Sequence, residues 1–176
     1  MCSRPDHANE ILDVVDENDH VIGSAVRSDV HRLALRHRAA HVLVFDDSGH
    51  LLLQRRALHK DVNPGLWDTS AAGHVEQGES YESAARRELL EELGIRAREP
   101  LIAISRLQAE PETGWEFVEV FKYIHSGDLD TDKTEIIETR WVPIQALNHR
   151  VFEEDPSLTL SFRKIWARVQ GGLKQE

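Results

Sequence analysis

A single mixed α/β domain is the fold class this sequence predicts, and three observations carry it. Short β-prone apolar runs lie both before and after one long helix-forming segment. That segment is bracketed by Ser80, a good N-cap, and Gly94, a natural helix stop. An amphipathic segment follows near the end of the chain. With 176 residues, 40% of them apolar and 30% charged, the chain suffices for one core and is short for two. One domain over residues 1–176 is expected.

Taken in order, residues 11–30 (ILDVVDENDHVIGSAVRSDV) set two β-prone runs around the polar turn Asp16–Asp19 and predict an N-terminal hairpin. VLVF and HLLLQ flank DDSG, a second hairpin whose apolar runs point to a buried sheet. Asn63-Pro64-Gly65 breaks the chain before LWDTSAAG, a short strand or loop. Beyond the central helix, LIAISRLQA and WEFVEVFKYIH read as strands joined by PETG, GDLDTDKTE as a polar loop and ETRWVP as a last strand. Pro143–Asn148 is a short helical piece. A helix over about 157–170 carries Leu158, Phe162, Ile165, Trp166 and Val169 on one face, suited either to a homodimer or to closing the core.

Bulk composition narrows the partners. A formal charge of −10 argues against a nucleic-acid polymer, because phosphate backbones attract basic surfaces. An acidic protein still binds phosphate esters where divalent cations neutralise clustered carboxylates. Cys2 is the only cysteine, which excludes an intrachain disulfide and fits a reducing compartment. MCSRPDHANE lacks the apolar core of a signal peptide, and no run approaches the ~18 apolar residues of a membrane span. A cytoplasmic protein with no membrane partner is expected.

The central helix carries Glu88, Glu91 and Glu92 at i, i+3 and i+4, which puts three carboxylates on one face. A solvated charged face is one reading; a divalent-cation site, with phosphate oxygens completing the metal shell, is the other. The flanking residues decide. Gly73 is followed at fixed offsets by Glu79, Arg87-Glu88-Leu89, Glu91-Glu92 and Gly94-Ile95, which fills every specified position of GX₅EX₇REUXEEXGU, U being aliphatic. This is the box of the Nudix hydrolases, and the chain resembles that superfamily.

The resemblance implies a Nudix fold, an α/β/α sandwich around a mixed sheet, with the box (73–95) as loop–helix–loop. It further implies hydrolysis of a diphosphate linked to another moiety, with Mg²⁺ or Mn²⁺ as cofactor. Glu88, Glu91 and Glu92 would supply carboxylates to the metal and Gly73 a carbonyl. Arg87 would orient those carboxylates through a bridge to Glu79, or else the two form an ordinary surface ion pair. One helix glutamate or a later carboxylate would take the proton of the attacking water. Glu116, Glu119, Glu135 and Glu138 are the later candidates.

HRAAHVLVFDDSGHLLLQRRALHKDVNPGLWDTSAAGH is similar to the isopentenyl-diphosphate isomerase branch of the same superfamily. That similarity implies diphosphate binding by Arg56 and Lys60. His37 and His74 match isomerase metal ligands and His31 roughly so, but with ten histidines in the chain each is read as structural. Trp67 is expected to pack against the box loop. Two departures count against isomerisation. Ala72 stands where the isomerases place a catalytic cysteine, and Gly114 where they place a metal-ligand glutamate; Glu116 matches their second catalytic acid. A metal-dependent pyrophosphohydrolase of a small diphosphate is therefore the leading reading. Isomerase-like activity and a non-catalytic ligand-sensing domain are the alternatives.

Overall fold

The computed structural model of the protein describes residues 9–60 and 62–173. Its element order is β1 (Ile11–Val15), β2 (Val21–Val26), α1 (Arg27–Arg32), β3 (His37–Phe45), β4 (Leu51–Arg56), β5 (Trp67–Asp68), β6 (Ala71–His74), α2 (Tyr81–Leu93), β7 (Ile102–Leu107), β8 (Glu116–Ile124), β9 (Ile136–Val142), α3 (Ile144–Phe152) and α4 (Leu160–Val169). The expected α/β/α arrangement is present. Central strands are apolar on both faces because both are covered. Ala39, Leu43, Leu51, Leu53, Val118 and Val120 pack towards Phe162, Ile165 and Trp166 of α4. Ala40, Val42, Val44, Leu52 and Phe121 pack towards Ala85, Leu89 and Leu93 of α2. The apolar face of α4 thus closes the core.

The sheet is mixed: β3 runs parallel to β8, which pairs antiparallel with β7, and β4 pairs antiparallel with β9. The β3–β4 hairpin holds a single rung, Phe45 opposite Leu51, and then splays. β6 pairs with β3 and β5 with β4 inside the opening. Ser70 bridges the two arms: its Oγ donates to the Leu52 carbonyl (2.6 Å) and accepts from the Val44 amide (2.8 Å). Apolar periodicity cannot show such a splay, since each arm remains a buried strand.

Three local differences from the sequence reading matter. The N-terminal hairpin ends at Val26, and residues 27–32 turn into α1, which carries His31. Ile144–Phe152 extends the short helical piece past Asn148. Thr159 caps α4, accepting from the Phe162 amide, so the terminal helix starts at Leu160 while Leu158 bridges to Trp67 in β5. Trp67 accordingly packs in the α4-side core, under the Arg140 guanidinium, and not against the box loop. The hairpin is pinned to the domain by Asp19, whose carboxylate accepts from Arg38, Tyr81 and Arg106.

Candidate active site

Helix α2 forms where expected. The Ser80 hydroxyl accepts from the Ser83 amide at 3.1 Å, and Gly94 ends the helix in the left-handed region at φ 70°. Its Leu89 and Leu93 anchor one face, which draws the adjoining Glu88 and Glu92 into burial. Gly73 of β6 makes room for Glu88. A Cβ on Gly73 would lie 2.0 Å from Glu88 Oε1, so only glycine lets the carboxylate lie against the strand. Glu92 Oε2 accepts from Gln54 Nε2 (2.9 Å) on β4 and from the Ala72 amide (3.1 Å) on β6, inside the splay. Helix carboxylates thereby reach a cleft on the opposite face of the sheet.

Arg87 braces this set. Its Nη2 donates to Glu79 Oε2 (3.0 Å) and the His74 carbonyl (2.9 Å), and its Nη1 to Glu88 Oε1 (2.5 Å). Burial works against the guanidinium charge, but Glu79 and Glu88 outweigh it and raise the pKa above the ordinary arginine value. Glu91 accepts from Arg87 Nη1 at 3.4 Å, is 38% exposed, and lies outside the residues lining the cleft.

The cleft is lined by Gly73, Glu88 and Glu92, by Arg56 and Lys60, and by Glu116 and Glu135 among others. Arg56 stands 3.7 Å from Asp68, and Lys60 pairs with Glu135. Of the later carboxylates, Glu116 and Glu135 reach the cleft. Glu119 faces the other side of β8, opposite Arg106 on β7, and Glu138 pairs with Arg140 at 2.6 Å.

The histidines, read singly as structural, come together in the structure. His31 on α1, His37 on β3 and His74 on β6 converge with Glu116 on β8, and one ligand atom from each lies within 4.8 Å of the others. Parallel pairing sets His37 opposite Glu116, so both project from the same face. His37 Nε2 is buried without a hydrogen bond, 3.5 Å from Glu116 Oε1, while its Nδ1 is tied to the Leu35 carbonyl. Glu10 lies behind His74, 3.4 Å from Nδ1, an arrangement that orients a ligating imidazole. Burial alone would lower the pKa of His74, yet Glu10 and Glu116 raise it to about 9. Burial and the neighbouring His74 and His37 lower His31 to about 4. Burial would raise Glu116, but His37 and His74 hold its carboxyl well below the usual range.

Four inward ligand atoms and an orphaned buried imidazole nitrogen fit a divalent cation. Carboxylates of the box suit Mg²⁺ or Mn²⁺, and the imidazole-rich cluster, which suits first-row transition ions better than Mg²⁺, could hold Mn²⁺ through Glu116 and its imidazoles. Spacing along the chain hides this cluster, since its members come from four elements. The match of His37 and His74 to isomerase ligands was the one available signal, and Glu10 carried none.

His41 is a further cleft residue that sequence reasoning passed over. It stands opposite Ala72 in the β3–β6 ladder, and its Nδ1 lies 2.8 Å from Thr69 Oγ1. Burial lowers its pKa, which leaves a neutral ring.

A carboxylate helix face beside a cluster of residues that could hold a divalent cation, set in a split mixed sheet, supports a metal-dependent enzyme. The NUDIX domain family model matches residues 35–162. Isopentenyl-diphosphate Delta-isomerase 2 of Photorhabdus laumondii is 35% identical, the match covering 89% of this chain and 90% of that protein. An uncharacterized Nudix hydrolase of Yersinia pestis is also 35% identical, covering 89% of this chain and 85% of the relative. The crystal structure of DR0079 from Deinococcus radiodurans superposes with a TM-score of 0.80 at 26% identity, covering 91% of this chain and 99% of that one. The chain belongs to the Nudix family and is an enzyme of its hydrolase class.

Proposed function

We propose that the protein hydrolyses a diphosphate linked to another small moiety, with Mg²⁺ or Mn²⁺ as cofactor. The observation that supports this most is the complete carboxylate set of α2, with Glu88 and Glu92 buried at a cleft that also holds Arg56 and Lys60. Glu88 and Glu92, with the Gly73 carbonyl, would hold a metal at the box; Glu91, at the rim, would reach it through outer-shell contacts. His31, His37, His74 and Glu116 would hold a second. Bound metal supplies charge neutralisation at the diphosphate and a more acidic water. The chain supplies the rest. Arg56 and Lys60 turn from Asp68 and Glu135 to the diphosphate oxygens, where two cations offset its remaining charge. Arg87, tied to Glu79, keeps the Glu88 carboxylate in place. A box glutamate accepts the proton of the attacking water. The single cysteine suits a reducing compartment such as the cytoplasm, and among the described residues no helix is long and apolar enough to cross a membrane.

Phosphate release should require metal and collapse in Glu88→Gln or Glu92→Gln with the melting curve of the wild type retained. Full activity in both variants would remove the box as the reacting centre.

A second reading has one specific observation in its favour. The His31–His37–His74–Glu116 cluster and the similarity to proteins named isopentenyl-diphosphate Delta-isomerase support it. Isomerisation moves protons at an alkene, and the Ala72 methyl beside His41 cannot move one. Solvent deuterium entering isopentenyl diphosphate, with formation of the dimethylallyl isomer, would favour that reading over hydrolysis.

A further inference from the structure

Beside Arg56 the cleft has a flank that the hydrolytic chemistry leaves unassigned. It is built where β5 meets β4 and where residues 157–159 pair with Trp67, which brings Asp68, Asn63 and Ser161 to the same cleft as His41. We propose that this flank binds a small, hydroxyl-bearing, non-aromatic group attached to the diphosphate, and that His41 is its specificity-determining residue.

Four observations support the assignment, which rests on the hydrolytic reading above. His41 is only 6% exposed yet lines the cleft. Its ring is fixed, because Nδ1 lies 2.8 Å from Thr69 Oγ1 and Thr69 is itself fully buried. Among the described residues Nε2 has no hydrogen-bond partner, and it is not sealed from solvent, so it is available to a ligand. Ala72, directly opposite on β6 and on the same face, presents only a methyl group there and leaves room.

The rest of the lining selects against the other substituents a diphosphate can carry. No Phe, Tyr or Trp lines the cleft among the described residues, so a nucleobase finds no ring to stack upon. Apolar lining is confined to Ala39, Val62 and the small residues of β6. A prenyl chain would cover His41 and Asp68 without pairing them, and an unpaired polar site is a strong basis for rejection. Hydroxyl groups pair with both: Asp68 accepts, and a neutral imidazole nitrogen accepts or donates.

Mn²⁺-supported phosphate release from three probes tests this: 5-phosphoribosyl 1-diphosphate, isopentenyl diphosphate and ADP. The wild-type enzyme should show the highest kcat/KM on the first, by about tenfold or more, the discrimination expected where a polar site faces an analogue that cannot pair with it. His41→Leu should lower that value at least about tenfold, chiefly through KM, and raise the value on isopentenyl diphosphate, because the unpaired imidazole that rejects a prenyl chain is gone, so that the preference narrows or reverses. His41→Asn, which keeps a hydrogen-bonding side chain, should recover part of the preference and guards against a leucine variant that misfolds. A wild-type preference for isopentenyl diphosphate or ADP, or an unchanged substrate ratio in a folded His41→Leu, overturns the assignment while metal-dependent hydrolysis stands. Failure to turn over any probe, with Mn²⁺ binding intact, removes the hydrolytic reading and this assignment with it.

Discussion

Replacing Gly73 with alanine should disable the site while the domain still folds. The added Cβ would sit 2.0 Å from Glu88 Oε1, 2.3 Å from Cδ and 2.9 Å from Cγ. Restoring an ordinary contact requires the carboxylate to retreat by about 1.4 Å. It cannot do so and keep its 2.5 Å hydrogen bond from Arg87. A misplacement of about 1 Å in a reacting group costs on the order of 10²-fold in rate, so metal-supported phosphate release should fall at least that far. Overpacking a buried site costs about 1–3 kcal/mol. In a chain of this size each kcal/mol lowers Tm by about 2–4 °C, so circular dichroism should still show a cooperative transition. The control is the same substitution in a Glu88→Ala background, where the obstructing carboxylate is gone and the added methyl should alter Tm little. Activity of Gly73→Ala within threefold of wild type would refute the close approach of strand and carboxylate as the reason for glycine. Equal destabilisation in both backgrounds would do the same.

Three further outcomes follow from the same geometry. Gln54→Leu removes the donor to Glu92 Oε2 and should weaken Mn²⁺ binding by about 10–100-fold, read by isothermal titration calorimetry, as loss of an outer-shell partner does. Ser70→Ala strips the bridge across the splayed hairpin and leaves the Leu52 carbonyl and Val44 amide unpaired; at about 1–3 kcal/mol for each unsatisfied buried group, urea unfolding should show a lower midpoint with an unchanged m-value. Asp155 tests electrostatics away from the site. Burial would raise its carboxyl, but Ser157 and Arg150 lower it from 3.8 to about 2. Its stabilisation is therefore complete above about pH 4 and lost as pH falls through about 2. Asp155→Asn should be less stable than wild type at pH 7 by roughly 1 kcal/mol, after allowance for solvent screening, and the gap should close between pH 4 and pH 2. A gap that stays constant over that range would show that the charge contributes nothing.

Much of the fold was legible in the residues. Ser80 and Gly94 delimit α2 because a hydroxyl can cap a helix and glycine tolerates the left-handed stop. The apolar runs of β3 and β4 marked a sheet covered on both faces. The box spacing also put Glu88 and Glu92 on one face, since that relation is local to a single helix.

Tertiary structure decided what lies between elements. Glu88 and Glu92 became buried and Glu91 did not, because Gly73, Gln54 and the Ala72 amide meet the first two across the split sheet. Histidines read singly as structural became a cluster once α1, β3, β6 and β8 brought them within reach of Glu116. The difference has one physical origin. Helical and strand periodicities place side chains relative to near neighbours along the chain, whereas a site assembled from Glu10 through Glu135 depends on strand register and on the splay of one hairpin. No local pattern encodes either.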